Sequence, residues 1–112
     1  MGIMAQLERS YRRILTYSRL GCLSYLYYYG DDGVAYRELK SVLDVTDSTL
    51  ASQLYWLKKN EYAKPREEKI GADEIAVYYI TPKGKDAYMA ILKWFTVLPL
   101  KKAIKDFEEL NK

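Results

Sequence analysis

The sequence contains no histidine and only one cysteine, and these two shortages restrict the chemistry open to the chain. Histidine is the commonest general base near neutral pH and the commonest zinc ligand. A lone cysteine, Cys22, forms neither a disulfide within the chain nor a paired-cysteine metal site. It fits a reducing, intracellular setting, and its leucine neighbours in the sequence predict a buried structural thiol. We therefore expect no catalytic residues, no metal and no cofactor.

Long hydrophobic segments are also lacking, and charges of both signs are mixed along the chain. The longest apolar run, 87–100, is interrupted by Lys93 and Pro99 and is too short to cross a bilayer. The first residues carry charges where a signal peptide would be apolar. With 112 residues, 49% of them hydrophobic, and a net charge of +3, we expect one globular domain, 1–112. We expect it to be cytoplasmic, with no membrane partner, and its charge permits a polyanion partner.

Periodic leucines, turn residues and helix caps divide the chain into short elements. Spacings of three and four indicate helices. Pro65 predicts that its own strand lies at a sheet edge or is irregular at that residue. Thr81 and Pro82 are suited to begin a helix, which Pro99 later interrupts. The predicted order is two helices within 5–29, a short strand at 34–35, a helix at 36–43 that buries Leu39, Val42 and Leu43, a helix from 47 to about Asn60, strands at 62–69 and 75–80 around a flexible tip at 71–74, and helices on both sides of Pro99.

This order is typical of a winged helix-turn-helix, in which a hairpin follows two short helices joined by a tight turn. The fold class is therefore mainly α with a small β-hairpin, or α+β, with additional N- and C-terminal helices. We divide the domain into an N-terminal helix at 5–17, a helix-turn-helix with its hairpin at 18–82 and a C-terminal helix at 83–112. We expect both terminal segments to mediate dimerisation.

The helix at 47–60 has a leucine side and a polar side. At about 100° per residue, Leu50, Leu54 and Leu57 share one face, which we expect to lie in the core. The polar side consists of Ser48, Ser52, Tyr55 and Lys59, flanked by Thr49 and Trp56, with Gln53 at its edge. Small hydroxyl groups allow close approach to bases and phosphates, and glutamine can pair with adenine. The alternatives are a solvated face and aromatic residues packed under the hairpin.

Several segments resemble archaeal and bacterial winged-helix regulators related to the MarR and ArsR families. The resemblance covers 18–88. It is carried by the opening helix at 18–30, Tyr-Arg-Glu-Leu-Lys at 36–40, Val-Thr-Asp-Ser-Thr-Leu-Ala-Ser-Gln-Leu-Tyr-Trp-Leu at 45–57, Glu-Tyr-Ala at 61–63, Tyr-Tyr-Ile-Thr at 78–81 and Lys-Gly-Lys at 83–85. It implies a homodimer on a two-fold related DNA site, with the helix at 47–60 in the major groove and the hairpin near the minor groove. ArsR-type metal sites need cysteine and histidine, so a metal sensor is not expected.

The candidate DNA-contacting residues belong mostly to the second helix of the helix-turn-helix. They are Arg37, Thr46, Asp47, Ser48, Thr49, Ser52, Gln53, Tyr55, Trp56, Lys59, Arg66 and Lys69. The hairpin departs from the family pattern, because 61–81 contains three basic and five acidic residues. Either Arg66 and Lys69 contact phosphate alone, or the hairpin stays off the DNA. A basic cluster at Arg9, Arg12, Arg13 and Arg19 is either a solvated face or a second backbone contact.

The terminal segments carry more apolar surface than one small domain readily covers. The candidate dimerisation residues are Leu7, Tyr11, Ile14, Ile91, Trp94, Phe95, Leu98 and Phe107. The alternative is that the two termini pack on each other within one chain. A tyrosine-lined cleft beside the dimer helices leaves room for an unidentified small apolar effector.

The sequence therefore predicts a sequence-specific double-stranded DNA-binding transcriptional regulator that acts as a homodimer. The main alternative is a winged-helix protein–protein interaction module without DNA binding. An enzyme is not expected, because the carboxylate pairs at 67–68 and 73–74 have no nucleophile or base positioned near them.

Overall fold

The computed structural model describes residues 6–111, which form six α-helices and one small antiparallel sheet. The expected order of elements is confirmed, and a single 3-10 turn lies at Gly30–Asp32. The elements are α1 at Arg9–Arg12, α2 at Tyr17–Tyr29, β1 at Val34–Ala35, α3 at Tyr36–Leu43, α4 at Asp47–Lys59, β2 at Ala63–Ile70, β3 at Asp73–Ile80, α5 at Pro82–Val97 and α6 at Leu100–Leu110. None of the helices within 6–111 has both the length and the apolarity needed to cross a membrane.

The sheet has the strand order β1-β3-β2, so the proline-containing strand lies at an edge, as predicted. The hairpin register pairs Pro65 with Tyr78 and Ile70 with Asp73. Its turn is therefore only two residues long, and Gly71 has a φ of 67°, a conformation that favours glycine. The expected four-residue tip is wrong, because β3 begins at Asp73.

The N-terminal segment is divided at 13–16, where the chain turns between α1 and α2. Thr16 caps α2, and its Oγ1 accepts a hydrogen bond from the Arg19 backbone N–H at 3.3 Å. The predicted start of the first helix at Ala5 lies outside the described residues. Gly21 lies inside α2, where a Cβ atom would come within 2.6 Å of Leu43 Cδ2. The glycine therefore leaves room for the Leu43 side chain of α3 to pack against α2.

One continuous core lies between α2, α3, α4, the sheet and α5. Leu50, Leu54 and Leu57 are all buried in it, which confirms the orientation predicted for α4. Leu39 and Leu43 of α3 are buried as well, whereas Val42 is exposed, so its predicted burial is wrong. Val42 precedes Leu43 directly in the helix, so its side chain is rotated by about 100° from that of Leu43 and reaches solvent.

The turns at the two ends of α4 fix its direction. Asp44 adopts the left-handed conformation with a φ of 52°, and Thr46 Oγ1 then accepts a hydrogen bond from the Thr49 N–H at 3.1 Å. At the other end, the residue with a positive φ is Glu61, at 65°, and not Asn60, near which the predicted helix ends. Asn60 instead donates its side-chain amide to the Trp56 carbonyl oxygen at 2.9 Å, which caps the last turn.

The terminal segments differ in how well the chain covers them. Leu7, Ile14 and Ile91 are buried in the core of the single chain, which corrects the expectation that they are available to a second copy. The alternative was that the two terminal segments pack on each other within one chain. The contact between α1 and α5 is of this kind. Beyond Pro99, α6 packs mainly on α5 and leaves Phe107 55% exposed and Leu110 85% exposed.

Candidate nucleic-acid interface

The polar side of α4 is open to solvent along its whole length. We call Ser48, Ser52, Tyr55 and Lys59 the reading face, and all four are exposed. Tyr55 is 63% exposed, which is unusual for a large aromatic side chain without a partner. The inward leucines on the opposite side of the helix set this orientation, because the two faces are half a turn apart.

The first turn of α4 combines unpaired backbone donors with hydroxyl groups. The Thr46 cap uses the Thr49 N–H, and the Thr46 hydroxyl also donates to Thr49 Oγ1 at 3.0 Å. The helix dipole and the remaining amides of this turn favour an anion. Ser48 is exposed beside them, whereas Thr49 is half-buried.

Asp47 would place a negative charge in the same turn, but α3 partly neutralises it. Its carboxylate lies 3.0 Å from Lys40 Nζ, and the Tyr36 hydroxyl donates to the Asp47 carbonyl oxygen at 3.2 Å. Burial and then the nearby carboxylate raise the pKa of the Tyr36 phenol, so it stays protonated as a donor. Arg37 is exposed next to this group and remains a candidate for backbone contact.

Gln53 and Trp56 are less free than the sequence pattern indicates. Both are half-buried, and both contact Arg19 of α2, which was predicted only as part of a basic cluster. Arg19 Nε donates to Gln53 Oε1, and the guanidinium carbon lies 4.1 Å from the centroid of the Trp56 ring. Trp56 also stacks near Tyr62, with ring centroids 6.0 Å apart. No periodic pattern within one helix reveals contacts between residues this far apart in sequence.

The β2–β3 hairpin, which corresponds to the wing, carries its basic residues beside acidic ones. Lys69 is directly opposite Glu74 in the register, and the Arg66 guanidinium lies 5.2 Å from the Tyr79 ring centroid. The Tyr79 hydroxyl donates to Glu68, and this hydrogen bond, followed by burial, raises the pKa of the phenol. Both basic side chains are exposed, and each has an acidic residue beside it in the sequence or directly opposite it in the register.

Three other kinds of site bear on the chemistry of the described part of the chain: a metal cluster, a ligand groove and a reactive thiol. Within 6–111 no three carboxylate or thiol groups come together to hold a metal ion. A groove of about 730 Å³ lies between α2, α3 and α5. Its walls include Leu20, Tyr25, Val42, Trp94 and Phe95, so it is largely apolar. Burial raises the pKa of the Cys22 thiol to about 12, which leaves that group neutral and unreactive.

A helix-turn-helix formed by α3 and α4, an exposed polar side on α4 and a following hairpin define a winged helix domain. A family model described as a winged helix DNA-binding domain matches residues 18–98. The chain belongs to this family. The resemblance predicted from 18–88 is thereby confirmed at the level of the winged helix.

Solved structures that include MarR and a MepR–DNA complex have a similar fold. The S. aureus MepR–DNA complex matches with a TM-score of 0.69 and 17% identity, over 89% of this chain and 78% of that one. MarR matches with a TM-score of 0.65 and 20% identity, over 79% and 66%. The protein smu.1704 from Streptococcus mutans UA159 matches with a TM-score of 0.64 and 17% identity, over 85% and 91%. No curated protein matches this chain in sequence.

Proposed function

We propose that this protein binds double-stranded DNA through α4 in the major groove and regulates transcription as a homodimer. The observation that carries the proposal is the open reading face, opposite leucines that are fully buried. An α-helix fits the major groove, where each base pair presents a distinct pattern of donors and acceptors. The family match supports a DNA partner, and so does the similar fold of MepR, which was solved in a complex with DNA.

The residues of α4 divide between base readout and backbone contact. Ser48 and Ser52 are short, exposed and near the helix start, so their hydroxyls can reach base edges. Tyr55 offers an apolar ring that suits a thymine methyl group. Lys59 at the far end of the helix, and Arg37 on α3, are suited to phosphate, which they attract without regard to sequence.

Selection of bound fragments from random duplex DNA tests this division. The wild-type protein should enrich a two-fold related site, and Ser52→Ala should change the base preference at one position in each half-site. Ser41→Ala is the matched control, because Ser41 is exposed on α3 and lies outside the reading face. Lys59→Gln should weaken binding to all sequences alike. An unchanged selected site with Ser52→Ala would remove Ser52 from base readout.

The second copy is proposed to cover the apolar side of α6. Ile104, Phe107 and Leu110 are exposed on this side, while Lys105 lies on the opposite, polar side. Tyr11, Trp94, Phe95 and Leu98 are half-buried at the base of the terminal segments and would extend the interface. Contiguous apolar surface of this kind marks an association site, and two-fold dimers are the commonest assemblies.

Sedimentation equilibrium tests the dimer. Phe107→Ser should shift the molecular mass towards that of the monomer, because it removes a large apolar side chain from the proposed interface. Lys105→Ser introduces the same residue into the same helix on its polar side and should leave the mass unchanged. Equal molecular masses for the Phe107→Ser and Lys105→Ser variants would contradict the proposed interface.

The groove between α2, α3 and α5 is where we place the expected effector. Its size and apolar walls fit a small hydrophobic molecule, although nothing in its lining selects one compound. Because the groove contacts both α3 and α5, an occupant would touch the helix-turn-helix and the C-terminal segment together.

A protein-interaction module is the second candidate function. It is favoured by the acidic hairpin and by exposed aromatic residues such as Tyr28, which is 80% exposed and lies away from the reading face on α2. Failure to bind any duplex at low salt, with dimerisation retained, would support this function and contradict the first.

A further inference from the structure

Arg19 is held in place by contacts on several sides, although it is in the first turn of α2 and outside the helix-turn-helix pair. Its Nε donates to Gln53 Oε1, and its Nη1 donates to the Arg13 carbonyl oxygen at 2.8 Å. The plane of the Trp56 ring supports the guanidinium from another side, with 4.1 Å between the guanidinium carbon and the ring centroid. These contacts restrain the position of the guanidinium.

The charge of Arg19 is nevertheless not neutralised. The ion pairs within residues 6–111 are Lys40–Asp47 and Lys102–Asp106, so no carboxylate is paired with this guanidinium. Two of its five N–H groups have a partner in the described chain, which leaves donors for a ligand. A fixed, partly exposed guanidinium with spare donors matches the geometry of a phosphate group.

The position of Arg19 is next to the reading face. Trp56 follows Ser52 by four residues in α4, so the two side chains are neighbours on the helix surface. The guanidinium over the Trp56 ring therefore lies on the flank of that surface. When a helix occupies the major groove, a sugar-phosphate strand runs along each flank.

Gln53 is poorly placed to read a base. It is three residues from Leu50 and four from Leu57, so it lies next to the buried leucines and is half-buried. Its Oε1 accepts from Arg19. Bidentate pairing with adenine would require this oxygen and the side-chain amide to face the base edge together.

The charges of the hairpin and of the N-terminal segment favour a cationic contact with the DNA backbone near Arg19. The hairpin that would normally touch the backbone has more acidic than basic residues, whereas Arg9 and Arg13 border a recess beside Asn60 at the end of α4. The basic surface at the N-terminal segment is thus continuous with the flank on which Arg19 lies.

We propose that Arg19 binds a DNA phosphate beside α4, and that Gln53 and Trp56 position its guanidinium, so that Gln53 acts through Arg19 and not on a base. This inference rests on the proposed DNA-binding function. It assigns to α2 the backbone contact that the acidic hairpin is unsuited to make.

The test measures binding of the full chain to a selected duplex by fluorescence anisotropy over a series of salt concentrations. Each phosphate contact contributes about 0.9 to the slope of log K against log salt, so Arg19→Gln should reduce the slope by about 1.8 for a dimer. Arg19→Lys should keep the wild-type slope with weaker binding, because lysine retains the charge but not the two-pronged geometry. Lys105→Gln removes the same charge on α6 and should leave the slope unchanged.

Gln53→Ala provides an independent readout that leaves α2 intact. It should weaken binding to every sequence by the same factor and leave the selected site unchanged. A wild-type slope with Arg19→Gln, or a changed base preference with Gln53→Ala, would overturn the assignment while the DNA-binding function stands. If the wild-type protein binds no duplex, the proposed function fails and this assignment fails with it. Thermal unfolding followed by circular dichroism checks that each variant is folded.

Discussion

Gly84 lies in the first turn of α5, where the helix crosses the backbone of the segment that joins α4 to the hairpin. A Cβ atom built on Gly84 would be 2.2 Å from the Tyr62 carbonyl oxygen and 2.8 Å from Ile80 Cγ1. The nearer atom belongs to the backbone, and Tyr62 N–H also bonds to the Leu57 carbonyl oxygen at 2.9 Å. The obstacle therefore cannot rotate away as a flexible side chain would.

The expected effect of Gly84→Ala combines two opposed contributions. Alanine is favoured over glycine in a helix interior by up to about 1 kcal/mol. Ordinary contacts begin near 3.4 Å, so the alanine methyl group requires a displacement of about 1 Å, and overpacking of this kind costs about 1–3 kcal/mol. Because the contact is with backbone, we expect the upper part of that range and a net loss of about 1–2 kcal/mol in the free energy of unfolding.

Urea unfolding followed by circular dichroism at 222 nm measures this loss. The urea concentration at the midpoint of unfolding should fall, while the slope of the unfolding free energy against urea concentration stays the same. Asp86, which is exposed two residues further along α5, provides the control. At position 86 the alanine variant should be more stable than the glycine variant. At position 84 glycine should be more stable than alanine, so the order of stability should reverse between the two positions. A Gly84→Ala protein as stable as the wild type would refute the close approach of α5 to Tyr62.

Two further predictions concern α4 and the core. Thr46→Ala should lower the free energy of unfolding by about 1 kcal/mol through loss of the cap on the Thr49 N–H, and Thr46→Ser should restore most of it, as measured by urea unfolding. Cys22 should not react with Ellman's reagent at pH 8 until the protein unfolds, because it is buried. Since burial raises its pKa from 9.0 to about 12, the unfolded chain ionises first, and stability should fall as the pH rises through that interval, less so in Cys22→Ala.

Features set by local sequence were predictable. The spacing of Leu50, Leu54 and Leu57 identified the buried side of α4, and the Thr81-Pro82 pair marked a helix start that the structure confirms. In each case the signal lies within about two helical turns or one cap. Periodicity and capping chemistry act over that same distance, so no tertiary information was needed.

Features set by contacts between distant segments were not predictable in the same way. Ile91 was expected to lie in an interface and is buried in the chain's own core, because α5 packs against α2. Gln53 was expected to face DNA, and its hydrogen bond from Arg19, 34 residues earlier, had no signal in the sequence around it. A helical wheel gives the direction of a side chain but not the identity of what lies in that direction.

The position of Pro65 in β2 has a consequence for solubility. An outer strand offers a row of open hydrogen-bonding groups to any extended segment of another molecule, which is a route to fibrils and precipitates. Proline withholds an amide hydrogen from that row, and the charged side chains that follow it, Arg66 and Glu67, resist the stacking of identical strands. Pro65 and the charged residues beside it therefore protect the protein against aggregation at high concentration.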